Sequence, residues 1–195
     1  MRARAVFIVA GIAVMASACA GNGPPLSRGY ADYTSASHTF PAQTTEATAA
    51  AAQPPNGSGH GLCFDANSAF ARDAVATLGP APAGGPWQVG KADDTPLSAG
   101  CPDLSWMQVD DSATNDGTFA SAVLFFHDGE YVGTATPQPY SYTDVIGSDA
   151  RSVAVRYRWI IDDDPLCCPR GGPSVVTFTW DGVHVQAHGT FPPSS

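Results

Sequence analysis

Five cysteines carry most of the chemistry open to this sequence: Cys19, Cys63, Cys101, Cys167 and Cys168. Cys19 stands apart from the rest. It follows the small residues Ala16, Ser17 and Ala18, behind a mostly apolar run from Ala5 to Met15 and a basic start at Arg2 and Arg4. The run is shorter than the roughly 20 apolar residues a spanning helix needs, and its layout is that of an export signal. Signal peptidase II cleaves before a cysteine so placed once the thiol carries diacylglycerol. Ala16 departs from the leucine usual at its position. The expectation is a signal peptide over 1–18 and lipid on Cys19, fixing the protein to the cell membrane on its extracytoplasmic face.

Four cysteines then remain, an even number in an exported chain, which favours two disulfides. Adjacent Cα atoms lie about 3.8 Å apart, below the usual disulfide range of about 4.4–6.8 Å. Pro169 also biases Cys168 toward an extended conformation, in which neighbouring side chains diverge. Cys167 and Cys168 are therefore expected to bridge separately to Cys63 and Cys101, in either of the two crossed arrangements. No Cys-x-x-Cys pair favours zinc, and no cofactor is implied.

Other constellations are weaker. Gly85 to Lys91 resembles a phosphate-binding loop, but Ala92 replaces the metal-binding hydroxyl, and Asp93, Asp94 and Pro96 oppose the helix that should follow. Trp87 reads instead as a core anchor. Gly57-Ser58-Gly59-His60 has no strand before it and no helix after it to make a nucleophile elbow. His184 and His188 on one strand would stand about 13 Å apart, too far to share an ion by themselves; a site with His127 would need a bulge, and partly exposed sheet histidines are the expected reading. Asp110, Asp111, Asn115, Asp116 and Gly117 form an oxygen-rich stretch without EF-hand spacing. Tyr140, Tyr142, Tyr157 and Trp159 are candidates to line a groove beside Pro137 and Pro139. Asp162, Asp163 and Glu130 are the carboxylates an envelope hydrolase would use across a cleft.

Composition narrows the partners. The net charge of −9 becomes −11 once Arg2 and Arg4 leave with the signal. Such a chain repels nucleic acid and has no basic patch to bind it. Arg151, Arg156 and Arg158 are the few cations that gather, with Asp162, Asp163 and Asp164 just beyond. Partners are expected to be the membrane, through the anchor, and an envelope protein, glycan or lipid.

The elements that must position these groups follow a disordered tether. Residues 19–61 are rich in Ala, Thr, Pro and Gly and poor in core formers. A domain over 62–195 opens with Asn67 as N-cap of a helix through about Leu78, closed by Gly79 and Pro80. The period then changes to two. Strands are expected at Trp87–Lys91, Leu104–Val109, Ala122–Phe126, Tyr131–Thr134, Ser152–Ile161, Val175–Trp180 and Val183–His188, with hairpins at Asp128-Gly129 and Asp181-Gly182. Along Ser152–Ile161, Val153, Val155, Tyr157 and Trp159 share one face. The fold class expected is α+β: one antiparallel sheet of about six or seven strands with an N-terminal helix, braced by disulfides.

These residues resemble a family. Leu104-x-Trp106-x-Gln108-Val109 after Cys101, Phe125-Phe126 before a turn, Gly133-Thr134 and Pro137-x-Pro139-Tyr140 fit the LppP/LprE lipoproteins of mycobacteria and their relatives. So do Val153-x-Val155-x-Tyr157-x-Trp159, Cys167-Cys168-Pro169 and Val176-x-Phe178. The resemblance implies lipidation, surface exposure and two disulfides. It implies no reaction and no catalytic residues. The function expected is a lipid-anchored, non-enzymatic binding or structural module, with the envelope hydrolase as the alternative.

Overall fold

The computed structural model describes residues 53–113 and 118–193. The signal over 1–18, Cys19, most of the expected tether, and Asn115, Asp116 and Gly117 lie outside them. Within the described residues the chain runs α1 (Ala69–Ala76), β1 (Trp87–Ala92), a short 3-10 turn (Leu97–Ala99), β2 (Ser105–Asp111), β3 (Ala120–His127) and β4 (Glu130–Thr134). It continues through β5 (Tyr140–Ser141), β6 (Thr143–Ser148), β7 (Ser152–Trp159), β8 (Gly171–Trp180) and β9 (Val185–Gly189).

The expected α+β fold with one sheet is corrected: the domain is mostly β, with two antiparallel sheets and one eight-residue helix among the described residues. The first sheet has the order β1-β2-β3-β4, with β5 beside the start of β3, and the second has the order β6-β7-β8-β9. The physical reason lies in β2 and β3, which are apolar on both faces. Trp106, Val123 and Phe125 point to one side, where Val153, Val155, Tyr157, Val176 and Phe178 of the second sheet cover them. Met107, Val109, Leu124 and Phe126 point to the other, where Phe64 and α1 cover them. A strand with two apolar faces needs a layer on each side, and a single sheet cannot supply both. Phe125 and Phe178 meet across the sheets at 5.0 Å between ring centroids, and Phe64 meets Phe126 at 4.3 Å.

Local signals explain the element ends. Ser68, not Asn67, caps α1: its Oγ accepts from the Ala71 N–H at 3.0 Å. The Asn67 N–H donates to Asp65 instead. Asp128 and Gly129 both take positive φ, at 44° and 75°, the twist a two-residue hairpin requires, and His127 pairs directly with Glu130. At the second hairpin the ladder stops at Trp180 and Val185, so the loop holds four residues. There Asp181 Oδ1 accepts from the N–H groups of His184 and Val183. The His184 N–H, then that of Val183 and the Gln186 amide, hold the Asp181 carboxyl down at about 2.

Residues 53–61 lie against the domain. Gly57 is buried beside Phe70, its carbonyl accepts from the Asp65 N–H, and Leu62 bridges both Gly59 and Pro96. The second bridge and the Cys63 N–H to Thr95 carbonyl bond draw the start of the domain to the 95–101 strap.

Candidate functional site

The site is built where the edges of the two sheets meet, at β1 and β6. Simple alternation would set Lys91 opposite Met107, facing the helix. The β1–β2 register instead slips at Gly90: Val89 pairs with Val109, and Lys91 pairs with Gln108. This bulge turns Lys91 to the face that meets the second sheet. A Cβ at Gly90 would meet the Asp110 carboxylate, which would have to swing aside.

Gln108 closes the corner. Its Oε1 accepts from the Val145 N–H at 3.2 Å, and its Nε2 donates to the Thr143 carbonyl at 3.4 Å. One buried side-chain amide thus satisfies the outer backbone groups of edge strand β6, which would otherwise stay open for pairing. Beside it, Asp144 takes Lys91 on Oδ1 and Arg156 Nη2 on Oδ2, the latter at 2.7 Å. Asp144 and Arg156 are direct partners across β6 and β7. Asp110 lies below, accepting from Ser121 Oγ and Gln108 Nε2.

The opposite wall is the 161–170 loop. The Asp164 side chain is fully enclosed, and its Oδ2 accepts from the N–H groups of Ile161 and Arg170 while Oδ1 meets the Arg170 guanidinium. Burial pushes this carboxyl up, but those donors outweigh burial and leave it below its ordinary value. Tyr142, at a φ of 54°, sends its hydroxyl to the Leu166 carbonyl, and Arg158 Nη1 donates to the Pro169 carbonyl at 3.2 Å. Between these walls lies a cavity of about 610 Å³ that reaches Lys91, Tyr142, Arg156, Arg158, Cys167 and Cys168.

The cysteine pairing differs from expectation. Cys63 joins Cys101, with Cα atoms 5.4 Å apart, and Cys167 joins Cys168. The crossed arrangement assumed an extended Cys168. Instead the pair sits on a turn closed by the Cys168 N–H on the Pro165 carbonyl, at 2.8 Å. Asp164 and Tyr142 hold that turn at the β6–β7 end, while Cys63 is tied to the 95–101 strap.

The remaining candidates disperse. Asp110 and Asp111 are strand residues on opposite faces of β2, and Asp111 is buried, accepting from the Ala83 and Ala113 N–H groups. His60 pairs with Asp65 at 2.9 Å, and the Asn67 N–H is the main cause of a lowered Asp65 carboxyl. His127 stacks on Trp180 at 4.1 Å, while His188 lies on β9 and His184 in the loop before it. No cluster that could hold a metal occurs among the described residues. Glu130 opens β4 in the first sheet, whereas Asp162 and Asp163 lie on the turn after β7 in the second.

The aromatic groove is not assembled. Tyr157 is buried in the core with Tyr140 edge-on at 5.8 Å, and Trp159 packs against Gly171, where a Cβ would collide with its indole. Pro137 and Pro139 line a separate cavity with Trp87 and Tyr131. Trp87 is half-buried against the helix-side core, with its indole N–H on the Gly79 carbonyl. The sequence names Lys91 only within the rejected phosphate loop and at a strand end, and Gln108 only within the family pattern, and it does not single out Asp144. The available signal was Gly90 inside an otherwise regular strand, which marks a bulge.

The profile of the LppP/LprE lipoproteins matches residues 99–183. The chain is 29% identical over 89 residues to proteins named as lipoprotein LppP in Mycobacterium bovis and in Mycobacterium tuberculosis, covering 46% of this chain and 50% of theirs. It thus spans about half the length of the curated relatives it matches. No solved structure matches. The matched segment holds β2 to β8, with Asp144, Arg156, Arg158 and the Cys167–Cys168 turn, while Lys91 and Cys63 fall before it. Residues 99–183 therefore carry the pattern of the LppP/LprE lipoprotein family, the one the sequence itself resembles.

Proposed function

We propose that this chain is an envelope lipoprotein, anchored by lipid on Cys19 at the extracytoplasmic face of the cell membrane, whose domain binds an envelope component without transforming it. The observation that carries this reading is the cavity at the β1–β6 corner. It is of a size that holds small ligands, and the carboxylates lining it are already engaged. Asp144 is held by two cations, and Asp110 accepts from Ser121 and Gln108. The carboxylates of the hydrolase alternative, Asp162, Asp163 and Glu130, do not line this cavity.

The test uses the mature protein in non-ionic detergent. It is loaded with a small-molecule extract of its own envelope, washed, and its ligand eluted for mass spectrometry. An intact compound retained by the wild type and lost with Tyr142→Ala supports binding. A product that accumulates, and disappears with Asp162→Asn or Asp163→Asn, overturns it in favour of hydrolysis. Fractionation of Cys19→Ala cells tests the anchor: the variant should leave the membrane, and unchanged membrane association would overturn lipidation at that residue.

A further inference from the structure

We infer that the corner cavity takes a soluble sugar acid or sugar phosphate, held by its oxyanion between Arg156, Arg158 and Lys91; this rests on the binding reading above. The first argument is charge. Six basic residues lie among the described ones, and three of them line this cavity. Against them stand Asp110 and Asp144, so the cavity carries one net positive charge in a chain whose total is −9. Solvation of an acidic surface does not call for gathering scarce cations in one hollow.

The second argument is pairing. Lys91, Arg151, Arg156 and Arg170 each meet a carboxylate. Arg158 meets none among the described residues, and the hydrogen bond it makes there goes to the Pro169 carbonyl. It stands two residues from Arg156 on one face of β7, about 7 Å along the strand. Its remaining guanidinium donors suit an oxyanion, which two parallel N–H groups can grip at once.

The third argument is shape. Asp144 already places a carboxylate on Lys91 and Arg156, so the geometry for an anion exists, occupied by the chain's own side chain. The half-buried rings of Phe119 and Tyr142, with Pro169 and the Cys167–Cys168 disulfide, supply the apolar wall on which the C–H face of a sugar ring packs. The cavity of about 610 Å³ exceeds what a bare ion needs. An anionic bilayer is the wrong source for that oxyanion, because a chain of −9 is repelled by it.

Titration calorimetry on the mature protein in non-ionic detergent tests this with glucuronate, glucose 1-phosphate and glucose. The two anions should bind, glucose should bind at least about tenfold more weakly, and added salt should weaken only the anions. Arg158→Gln should weaken both anions by about tenfold while leaving the unfolding transition in place. Asp144→Asn should tighten them several-fold by releasing Lys91 and Arg156, whereas a merely structural ion pair gives no gain. Glucose binding as tightly as the anions, lost with Tyr142→Ala, would overturn the oxyanion and leave the binding reading standing. Silence from all three probes overturns the inference, and the envelope-extract capture then judges the binding reading separately. Co-sedimentation with phosphatidylglycerol vesicles through Arg156 and Arg158 overturns it in favour of a membrane surface.

Discussion

The two sheets use alternation differently. In β3 of the first sheet every residue from Ser121 to Phe126 is buried, since the second sheet covers one face and α1 with Phe64 covers the other. In β8 of the second sheet burial alternates from Val175 onward: Val176, Phe178 and Trp180 are enclosed, while Thr177 and Thr179 are only partly covered. The first sheet is structural through its thickness. The second keeps a face open enough for charged side chains to stay partly hydrated, and Asp144, Arg156 and Arg158 stand there. The first sheet contributes Gln108 and Asp110 from β2 and, at its edge strand, Lys91, which the Gly90 bulge turns to the face that meets the second sheet.

Truncation on neighbouring positions should break or sharpen that contrast most. Phe125→Ala and Leu124→Ala face opposite layers yet should both be costly, about 3–5 and 2–5 kcal/mol in urea unfolding. In β8, Val176→Ala should cost about 2 kcal/mol, and Thr177→Ala only a few tenths. A Leu124→Ala loss below about 1 kcal/mol would mean the helix layer does not act as a second core.

The two disulfides extend the comparison. Cys63–Cys101 spans 38 residues, so removing both thiols as Cys63→Ser/Cys101→Ser should cost about 4 kcal/mol by loop-closure entropy. Cys167–Cys168 spans one residue and constrains almost none of the unfolded chain. Cys167→Ser/Cys168→Ser should leave the unfolding midpoint nearly unchanged and alter only the wall of the cavity. Equal losses from the two double variants would mean that the 161–170 loop is part of the global folding unit.

Much of the strand content was legible because period-two patterning and Asp-Gly turns are local signals. Val153, Val155 and Tyr157 are buried on one face as read, and the Asp128-Gly129 hairpin forms. The partition into two sheets was less accessible, because it depends on what covers each face of β2 and β3. β5 and β6 were missed since Pro137, Pro139, Gly147 and Asp149 give their region the composition of a loop. Trp159 leaves the buried row because the β7–β8 register shifts between Tyr157 and itself. For the site, Arg156 and Arg158 were visible as a gathering of cations, whereas Lys91 came into place only through a bulge and Asp144 through a missed strand. The cysteine pairing failed for a related reason: Pro169 biases its neighbour locally, but the turn is fixed by Asp164, Tyr142 and Arg170 from outside it.

Asp164 gives a smaller, pH-dependent test confined to that loop. Folding lowers its carboxyl, so its contribution is fully present above the unfolded value of 3.8 and is lost as pH falls through the lower folded value. Asp164→Asn removes the charge at every pH. The Ile161 and Arg170 amides, which Asp164 Oδ2 accepts, should then lose hydrogen-exchange protection at neutral pH, while Val176 in β8 keeps it. The wild type should reach the same local opening only in acid. Protection unchanged at Ile161 and Arg170 would show that the loop is held without this carboxylate.

The smallest effect lies on the layer that covers the first sheet alone. α1 has eight residues, too few to be stable in isolation, so its first turn needs a partner for its free N–H groups. Two adjacent residues offer suitable side chains, and sequence alone favours Asn67. The chain uses Ser68, whose Oγ takes the Ala71 N–H, while the backbone N–H of Asn67 is engaged by Asp65. Ser68→Ala should therefore cost about 1 kcal/mol in urea unfolding, and Asn67→Ala should fall within about 0.5 kcal/mol of zero. The loss should follow the helix-side core, because α1 carries Ala71 and Ala74 against Met107, Leu124 and Phe126. Combined with Leu124→Ala, Ser68→Ala should cost less than the sum, since both loosen the same layer; combined with Val176→Ala it should add. The reverse pattern would place the helix outside the core that it closes.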